Sequence, residues 1–378
     1  SSDLAVDLSL FNSRVNLTTD FYNNASKNLL LEVNIPTSTG YSKQFQNIAE
    51  LRNRGVEFSL NTLNVRNDNF QWRSVLNFTF NRSKVKSLYG SGGTDYMINS
   101  YESRINFYTQ VDGPVSTFYG YKYDGVYTTN DFTQQADGSY LLNDGVASLK
   151  GKNRATIKPG DVKYLAVAGE TDGNGNPVWS TNDRTEIGSP EPKFFGGFNN
   201  EFTYKSFDLS VFLNFAYGNK AFNMNTQRFM GPYLPNQNSL GQMADRFTLI
   251  DPATGVETTD LNRLAALNPN QEDKKQIWSL NSTNNIAISD PLDYYLEDAS
   301  FLRINNVTLG YTLPSNLSKK LLVQRFRVYL TLNNIHTFTN YSGYDPEVSA
   351  TDAILTRGVD NSAYPRTKSV VAGVNLTF

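Results

Sequence analysis

Oxygen-bearing side chains between residues 172 and 183 have the spacing of a calcium loop. In the EF-hand loop, ligands come from the first, third, fifth and last positions, among others. Asp172, Asn174, Asn176 and Asp183 occupy those positions here. Pro177 stands where that pattern requires glycine, and Asp183 replaces its bidentate glutamate. The sequence therefore predicts either a weakened Ca2+ site or an ordinary turn, because Asn, Gly and Asp favour turns.

Tyrosines recur at even spacing in the next candidate site. Tyr119, Tyr121, Tyr123 and Tyr127 follow this pattern, with Phe118 beside them. On a strand the first three share a face, so they predict a substrate-binding surface that stacks on sugar rings or lines a pore. The alternative, which we favour, is an aromatic girdle or a loop core, because tyrosine suits the boundary between water and apolar surroundings. Weaker aromatic candidates are Tyr101, Phe107, Tyr108, Tyr233 and Trp278.

The sequence lacks the residue arrangements that common catalytic sites require. His336 is the only histidine and cysteine is absent, so a zinc site or a histidine-based triad lacks its partners. We expect His336 to be structural. Two carboxylate pairs, Glu297 with Asp298 and Asp290 with Asp293, come without a hydrolase fingerprint and are expected to be solvated or to cap the backbone. The sequence therefore predicts a protein that is not an enzyme.

The overall composition narrows the class of protein. The 378 residues carry a net charge of −2, which gives no indication of a nucleic-acid partner. No apolar run approaches the ~18 residues of a membrane-spanning helix. The mean hydropathy is −0.45 and aromatic residues make up 13% of the chain. The chain begins at Ser1 without a signal peptide, so we expect either a mature product or a piece of something longer.

Between residues 194 and 217, apolar residues alternate with small or polar ones. This alternation identifies the strands that must position the candidate site residues. From residue 207 every second residue is apolar: Phe207, Leu209, Val211, Leu213, Phe215 and Tyr217. The residues between them are mostly small or polar, which is the pattern of a strand with two different faces. The preceding stretch, 194–204, alternates in the same way. Because almost nothing separates the two stretches, they predict a tight antiparallel hairpin.

The length of these strands is compatible with a membrane. Eleven residues rising ~3.3 Å each give ~36 Å. Tilted by ~40°, such a strand spans ~28 Å, close to the ~25 Å apolar band of a transmembrane barrel. Taken alone, the hairpin fits a soluble β-sandwich equally well.

Further alternating stretches predict nine or ten strands in total. They lie at 4–10, 15–22, 53–64, 70–81, 301–313, 325–333 and 369–378, besides the central hairpin. We expect a bulge near Asn305 and Asn306, where the apolar phase changes, and a loop over residues 23–50. Short and long connections alternate along the chain, as they do in a transmembrane β-barrel but not in a soluble sandwich. The sequence therefore favours the barrel, either closed by about ten strands or forming part of a larger one.

Nine short stretches carry a recognisable pattern along the chain. They are 51–57 (LRNRGVE), 70–72 (FQW), 159–164 (PGDVKY), 182–184 (NDR), 187–188 (IG), 196–198 (GGF), 204–210 (YKSFDLS), 299–311 (ASFLRINNVTLGY) and 364–366 (YPR). Together they resemble the SusC/RagA-like TonB-dependent outer-membrane transporters of Bacteroidetes. The resemblance covers nearly the whole chain in order and ends on the terminal aromatic Phe378.

This resemblance implies an all-β fold, a plugged transmembrane antiparallel barrel of about 22 strands. Residues 1–378 would be the C-terminal part of the transporter, its last ten strands or so with long extracellular loops. The plug, the TonB-contacting segment and the first strands would lie outside this chain.

The resemblance also implies a function and partners. The expected function is import of an oligosaccharide or oligopeptide through the outer membrane of a Gram-negative bacterium, with a SusD-like surface lipoprotein as lid and TonB as the energy source. Outer-membrane lipid would surround the barrel, and no nucleic acid is involved. Two alternatives stay open: a siderophore- or vitamin-type receptor and a secreted β-rich carbohydrate-binding module.

Overall fold

Nine long antiparallel strands, paired in sequence order, form the main sheet of the computed structural model. The structure describes residues 1–88, 96–231, 236–280, 291–350 and 353–378. The strands are β1 (Ser2–Leu10), β2 (Val15–Asn34), β3 (Lys43–Arg66), β4 (Phe70–Leu88), β5 (Phe194–Tyr204), β6 (Phe207–Tyr217), β7 (Phe301–Thr312), β8 (Arg325–Thr339) and β9 (Ser369–Thr377). The predicted central hairpin is thus β5 and β6, which pair over all eleven residues.

The two faces of this sheet differ because the strand register places apolar residues beside apolar residues and polar residues beside polar ones. One row runs through Leu8, Leu17, Leu60, Leu76, Phe198, Leu213, Ile304 and His336 on β1 to β8. The adjacent row on the opposite face runs through Asp7, Thr18, Ser59, Asn77, Gly197, Asn214, Arg303 and Thr337. Since neighbouring strand residues point to opposite faces, the alternation in each strand becomes one apolar and one polar face of the whole sheet.

Connections at one end of the strands are 11–14, 67–69, 205–206 and 313–324, and those at the other end are 35–42, 89–193, 218–300 and 340–368. The predicted alternation of short and long connections holds except at 35–42, which has eight residues and is shorter than 313–324, which has twelve. The predicted bulge is confirmed: Asn306 pairs with Phe212 and Ile304 pairs with Leu213, which leaves Asn305 as the extra residue.

The predicted loop over residues 23–50 is wrong. Strands β2 and β3 continue through it and stay paired up to Asn34 and Lys43. The residues of β3 that precede Ala49 do not pair with β4, because the pairing begins at Ala49 with Leu88. The outer part of the hairpin is therefore a two-stranded ribbon. Where its side chains are described, at residues 27–30 and 44–47, most of them are exposed. Such a ribbon needs no apolar side, so its strands lack the alternation that marks the others.

Two glycines in the sheet make room for a tyrosine on the neighbouring strand. The Tyr22 ring crosses Gly55, and its hydroxyl donates to Asn81 Oδ1 at 2.9 Å, so it links three strands. A Cβ at Gly55 would lie 2.2 Å from the Tyr22 oxygen, and one at Gly373 would lie 2.3 Å from Tyr329 Cζ. Neither contact is sterically possible, so both rings depend on the absent side chain.

The long connections fold together around an aromatic core of their own. Its fully buried members include Ile105, Phe107, Phe118, Phe222, Phe247, Trp278, Tyr295 and Val359. One four-stranded sheet there consists of Tyr96–Tyr101, Ile105–Gln110, Thr117–Gly120 and Thr185–Gly188. A three-stranded sheet consists of Lys220–Asn223, Leu296–Asp298 and Val359–Asp360. Residues from all three of the longest connections thus form one packed unit.

Smaller elements complete this unit. The two-stranded pairs are Tyr123–Val126 with Val162–Tyr164, Phe132–Gln134 with Tyr140–Leu142, Ser148–Leu149 with Val178–Trp179, and Ile250–Asp251 with Val256–Glu257. The helices are α1 (Met224–Phe229), α2 (Leu261–Leu267) and α3 (Ser315–Ser318), the last of these in the short connection between β7 and β8. Single 3-10 turns lie at Thr37–Thr39, Thr129–Asp131, Arg154–Thr156, Thr181–Asp183, Gly241–Asp245, Asp293–Tyr295 and Lys319–Leu321. Among the residues described, we find no helix with the length and apolar character needed to cross a bilayer.

Candidate functional site

An open cleft of about 1100 Å3 lies among the long connections. Its walls come from α1, the turn Gly241–Asp245, residues 293–298 and residues 340–344. Amide and hydroxyl groups supply much of the polar lining: Asn223, Asn225, Thr226, Gln242, Asn340, Ser342 and Ser362. Four aromatic rings lie beside them, those of Tyr123, Phe229, Tyr294 and Tyr344. Rings next to neutral hydrogen-bonding groups give such a cleft the character of a ligand site.

The Glu297 carboxylate joins the elements of one wall. Its Oε1 accepts hydrogen bonds from Asn223 Nδ2 at 2.8 Å and Ser342 Oγ at 2.7 Å, and its Oε2 accepts one from the Ser342 backbone N–H at 2.7 Å. Both oxygens are therefore engaged within the protein. Of the two expected roles, solvation and backbone capping, Glu297 has the second, because it accepts the Ser342 N–H, and it also ties Ser342 to the strand Lys220–Asn223.

Two tyrosines of the lining, Tyr123 and Tyr294, are neutral groups. Asp293 Oδ1 accepts the Tyr123 N–H at 2.8 Å, while the Tyr123 hydroxyl donates to the Gln276 carbonyl. Burial raises the pKa of Asp293, and the hydrogen bond from Tyr123 opposes that shift. Burial, with a smaller contribution from Asp273, raises the pKa of Tyr294 to about 12. These rings therefore offer apolar faces and no negative charge at neutral pH.

A buried ion cluster fixes residues 340–368 to the main sheet. Arg303 projects from the polar face of β7 with 1% of its side chain exposed. Its guanidinium bonds Asp345 Oδ1 and Glu347 Oε2, each at 2.6 Å, and Thr337 Oγ1 at 2.9 Å. Arg366 also reaches Glu347 Oε2, at 2.9 Å. The sequence analysis missed this cluster, although the 299–311 motif contains Arg303 and the 364–366 motif contains Arg366.

The structure divides the predicted tyrosine row between different surroundings. The strand breaks after residue 120, so Tyr119 lies in Thr117–Gly120 and Tyr123 begins Tyr123–Val126. Tyr121 and Tyr127 are buried, and the Tyr127 hydroxyl donates to the Ala147 carbonyl at 2.6 Å. Of the four, only Tyr123 lines the cleft. Their role in substrate binding stays a prediction.

Tyr119 belongs instead to a row of rings across three strands of the four-stranded sheet. Its ring stacks on that of Tyr108 at 5.0 Å, and Tyr108 stacks on Tyr96 at 5.5 Å. Phe107 and Phe118 point to the other face of the same strands, into the core. Alternation within each strand was visible in the sequence, but the pairing that aligns the three rings was not.

The two carboxylates among the predicted calcium ligands, Asp172 and Asp183, accept hydrogen bonds from backbone N–H groups. Asp172 Oδ1 accepts the N–H groups of Asn174 and Asn176, both at 2.9 Å. The buried Asp183 carboxylate accepts the N–H groups of Ala168 at 2.8 Å and Ser180 at 2.6 Å. Hydrogen bonding, first from the Asn176 N–H, lowers the pKa of Asp172. In the described part of the chain, no three His, Asp or Glu side chains gather as a metal-binding group. Calcium binding stays a prediction.

The remaining candidates have structural surroundings or lie outside the described residues. Phe107 and Trp278 are in the core, and Tyr101 packs against it. His336 is exposed on the apolar row of the main sheet, with its ring 4.5 Å from that of Phe338. Tyr233 and Asp290 lie outside the residues that the structure describes.

Comparison with known proteins identifies relatives along the full chain. No protein-family model matches. The TonB-dependent receptor P3 of Formosa agariphila is 30% identical over 391 aligned residues, which cover 100% of this chain and 34% of the receptor. The TonB-dependent receptor SusC of Bacteroides thetaiotaomicron is 25% identical, with 99% of this chain and 31% of the receptor covered. The chain thus spans about a third of the length of the curated relatives that it matches.

A solved structure described as that of the RagAB peptide transporter has the same fold. The alignment covers 100% of this chain and 35% of the chain in that structure, with a TM-score of 0.72 and 22% sequence identity. This likeness confirms the predicted fold class, an antiparallel barrel sheet to which this chain contributes nine strands in the residues described. The chain is therefore similar over its whole length to TonB-dependent receptors, SusC among them, which confirms the resemblance seen in its sequence.

Proposed function

We propose that the protein containing this chain imports a glycan or peptide nutrient across the outer membrane of a Gram-negative bacterium, driven through TonB and without catalysing a reaction. The observation that carries this proposal is the 30% identity to a TonB-dependent receptor along the entire chain. The names of the relatives describe receptors and a transporter, which supports a role other than catalysis.

The geometry supports different surroundings for the two faces of the sheet. Lipid contacts the apolar row that includes Leu76 and Leu213, while the polar row that includes Asn77 and Asn214 lines the lumen. The short turns lie on the periplasmic side and the long connections at the outer mouth. In this arrangement the cleft faces the cargo before it enters the lumen.

Two protein partners belong to this proposal. A SusD-like surface lipoprotein would close the outer mouth, in keeping with the SusC relative. TonB would act through a plug segment that precedes residues 1–378, which form the C-terminal part of the barrel. If so, the tagged complete protein will co-purify with a large lipoprotein, whereas a siderophore-type receptor will be recovered without one.

Uptake by the bacterium that carries the complete gene tests the function directly. We expect fluorescent oligosaccharides or a tryptic oligopeptide pool to accumulate in the parent strain, and to stop accumulating after gene deletion or addition of a protonophore. Equal accumulation with and without the gene would contradict the proposal. Loss of ferric-siderophore uptake alone would assign the protein to the siderophore type of receptor.

A further inference from the structure

Tyr344 is an aromatic side chain that lines the cleft while remaining open to solvent. Its exposed fraction is 84%, the highest among the large apolar side chains that line the cleft in the described residues. Tyr123 and Tyr294, which also line the cleft, are only partly exposed and pack edge to face at 5.0 Å. An exposed ring normally lacks a fixed position, so the backbone that carries Tyr344 decides whether it can serve as a contact surface.

That backbone is held on both sides of Tyr344. Two residues before it, Ser342 is bonded through its N–H and its hydroxyl to Glu297. One residue after it, Asp345 is bonded to the buried Arg303 at 2.6 Å. Asp345 Oδ1 also accepts the N–H of Glu347 at 3.0 Å, which closes the turn that follows. The two anchors restrict the segment without covering the ring.

We propose that Tyr344 is a cargo-contacting residue that stacks on a sugar ring, and that Arg303 is the positioning residue that holds it in the cleft. Fixing a contact side chain before binding reduces the conformational entropy lost on association. The proposal rests on the import function and names its substrate class. It assigns a role in the candidate site to a tyrosine and to an ion cluster that were not among the predicted site residues.

The polar lining favours a neutral, hydroxyl-rich ligand over a peptide. A peptide brings a terminal ammonium and a terminal carboxylate, which bind best to free opposite charges. Five charged side chains line the cleft. Glu297 already accepts three hydrogen bonds, Asp293 accepts the Tyr123 N–H, Asp298 accepts the Ser300 N–H, and Lys274 pairs with Asp124. The exposed ammonium of Lys275 could meet a terminal carboxylate, but each carboxylate of the lining is already engaged, so a terminal ammonium has no free partner among them. Amide and hydroxyl groups, which suit sugar hydroxyls, line much of the remainder. Beside them, the ring of Tyr344 offers an apolar face to the C–H side of a pyranose.

Binding to the purified complete protein tests this assignment. The probes are maltohexaose, cellohexaose, xylohexaose and mannohexaose, each titrated by calorimetry in detergent, with a tryptic peptide pool as competitor. We expect at least one hexasaccharide to bind, and Tyr344→Ala to weaken that binding roughly tenfold. Tyr344→Phe keeps the ring and should bind within about twofold of wild type.

The matched control is Tyr364→Ala, because Tyr364 is 86% exposed in the same segment but does not line the cleft. It should bind within about twofold of wild type. If Arg303 acts through Tyr344, adding Arg303→Gln to Tyr344→Ala causes no further loss, although Arg303→Gln alone weakens binding. Glu347→Gln perturbs the same cluster from its partly exposed side and replaces Arg303→Gln if that variant does not fold.

Three results would overturn the assignment. They are wild-type binding by Tyr344→Ala, the absence of binding by all four hexasaccharides, and competition by peptides that depends on Tyr344. Each would leave the import function standing, provided that energy-dependent uptake still requires the gene. Loss of that requirement would instead remove the import function itself.

Discussion

Arg303 shows how one side chain links the main sheet to its outer connection. Its guanidinium forms ion pairs with Asp345 and Glu347 and donates a hydrogen bond to Thr337, and its side chain is almost fully buried. Removing one member of a buried ion pair typically costs about 3–5 kcal/mol, because the other charges stay buried without compensation. The carboxylates of Asp345 and Glu347 would therefore pull residues 340–368 away from β7 towards water.

Arg303→Gln should accordingly loosen residues 340–368 without unfolding the sheet. We expect faster hydrogen exchange and earlier proteolytic cleavage in that segment than in wild type. Arg325→Gln, which removes an exposed arginine at the start of β8, is the matched control and should leave both rates unchanged. Equal rates in wild type and Arg303→Gln would show that the cluster does not hold the segment.

The calcium prediction also belongs to single residues. Calcium would have to displace the backbone N–H groups that Asp172 and Asp183 now accept. If the site exists, metal analysis of purified protein will find calcium that chelator removes, and Asp172→Asn will lower its occupancy. The absence of chelator-sensitive calcium would assign these residues to backbone capping alone.

Individual site residues were harder to predict than their types. The aromatic residues at 119–127 were recognised, but whether each ring lies in a core or a cleft depends on residues far away in the chain. Tyr123, for example, meets Asp293 and Gln276. Arg303 and Asp345 are 42 positions apart, and neither has a spacing that reveals the other.

At the scale of the strand, prediction succeeded where one face is apolar and the other polar. The alternation of β4 to β6 is such a pattern, and the structure has all three strands. It failed for the outer ribbon of β2 and β3, whose sequence does not alternate, so that backbone pairing alone defines the strands.

Opposite substitutions on β6 test which face contacts lipid. Leu213→Arg places a charge on the apolar row and should destabilise the barrel by about 2–4 kcal/mol. Ser210→Arg places the same charge on the polar face, opposite Glu201, and should be tolerated. The measurement is the folded fraction in isolated outer membranes, read as heat-dependent mobility in gels. Equal loss in both variants would contradict the two-faced sheet.

At the scale of the whole molecule, the alternating connections predict a fixed orientation in the membrane. The chain contains no cysteine, so single introduced cysteines report their position without background. Ala136→Cys lies in a long connection and should react with an impermeant maleimide on intact cells. Asp68→Cys lies in the short turn between β3 and β4 and should react only after the outer membrane is permeabilised. The reverse pattern would overturn the orientation.

The connections themselves show the limit of prediction at this scale. They have no sustained helical period and alternate only within short strands, because many short elements share their core. Phe118 packs near Phe222, and Phe222 near Tyr295, in three separate parts of the chain. Only the three-dimensional arrangement reveals that these residues form one core and leave a cleft beside it.

The ring of Tyr22 lying over Gly55 has a consequence for how related sequences diverge. A Cβ at position 55 would lie 2.2 Å from the Tyr22 oxygen and 2.5 Å from the Phe80 carbonyl oxygen, so exchanging the tyrosine alone would not make room for alanine. Glycine is therefore expected to persist at position 55 among descendants of this gene even where position 22 changes. At Gly373 the three nearest atoms all belong to the Tyr329 side chain, so that glycine and that tyrosine are expected to co-vary.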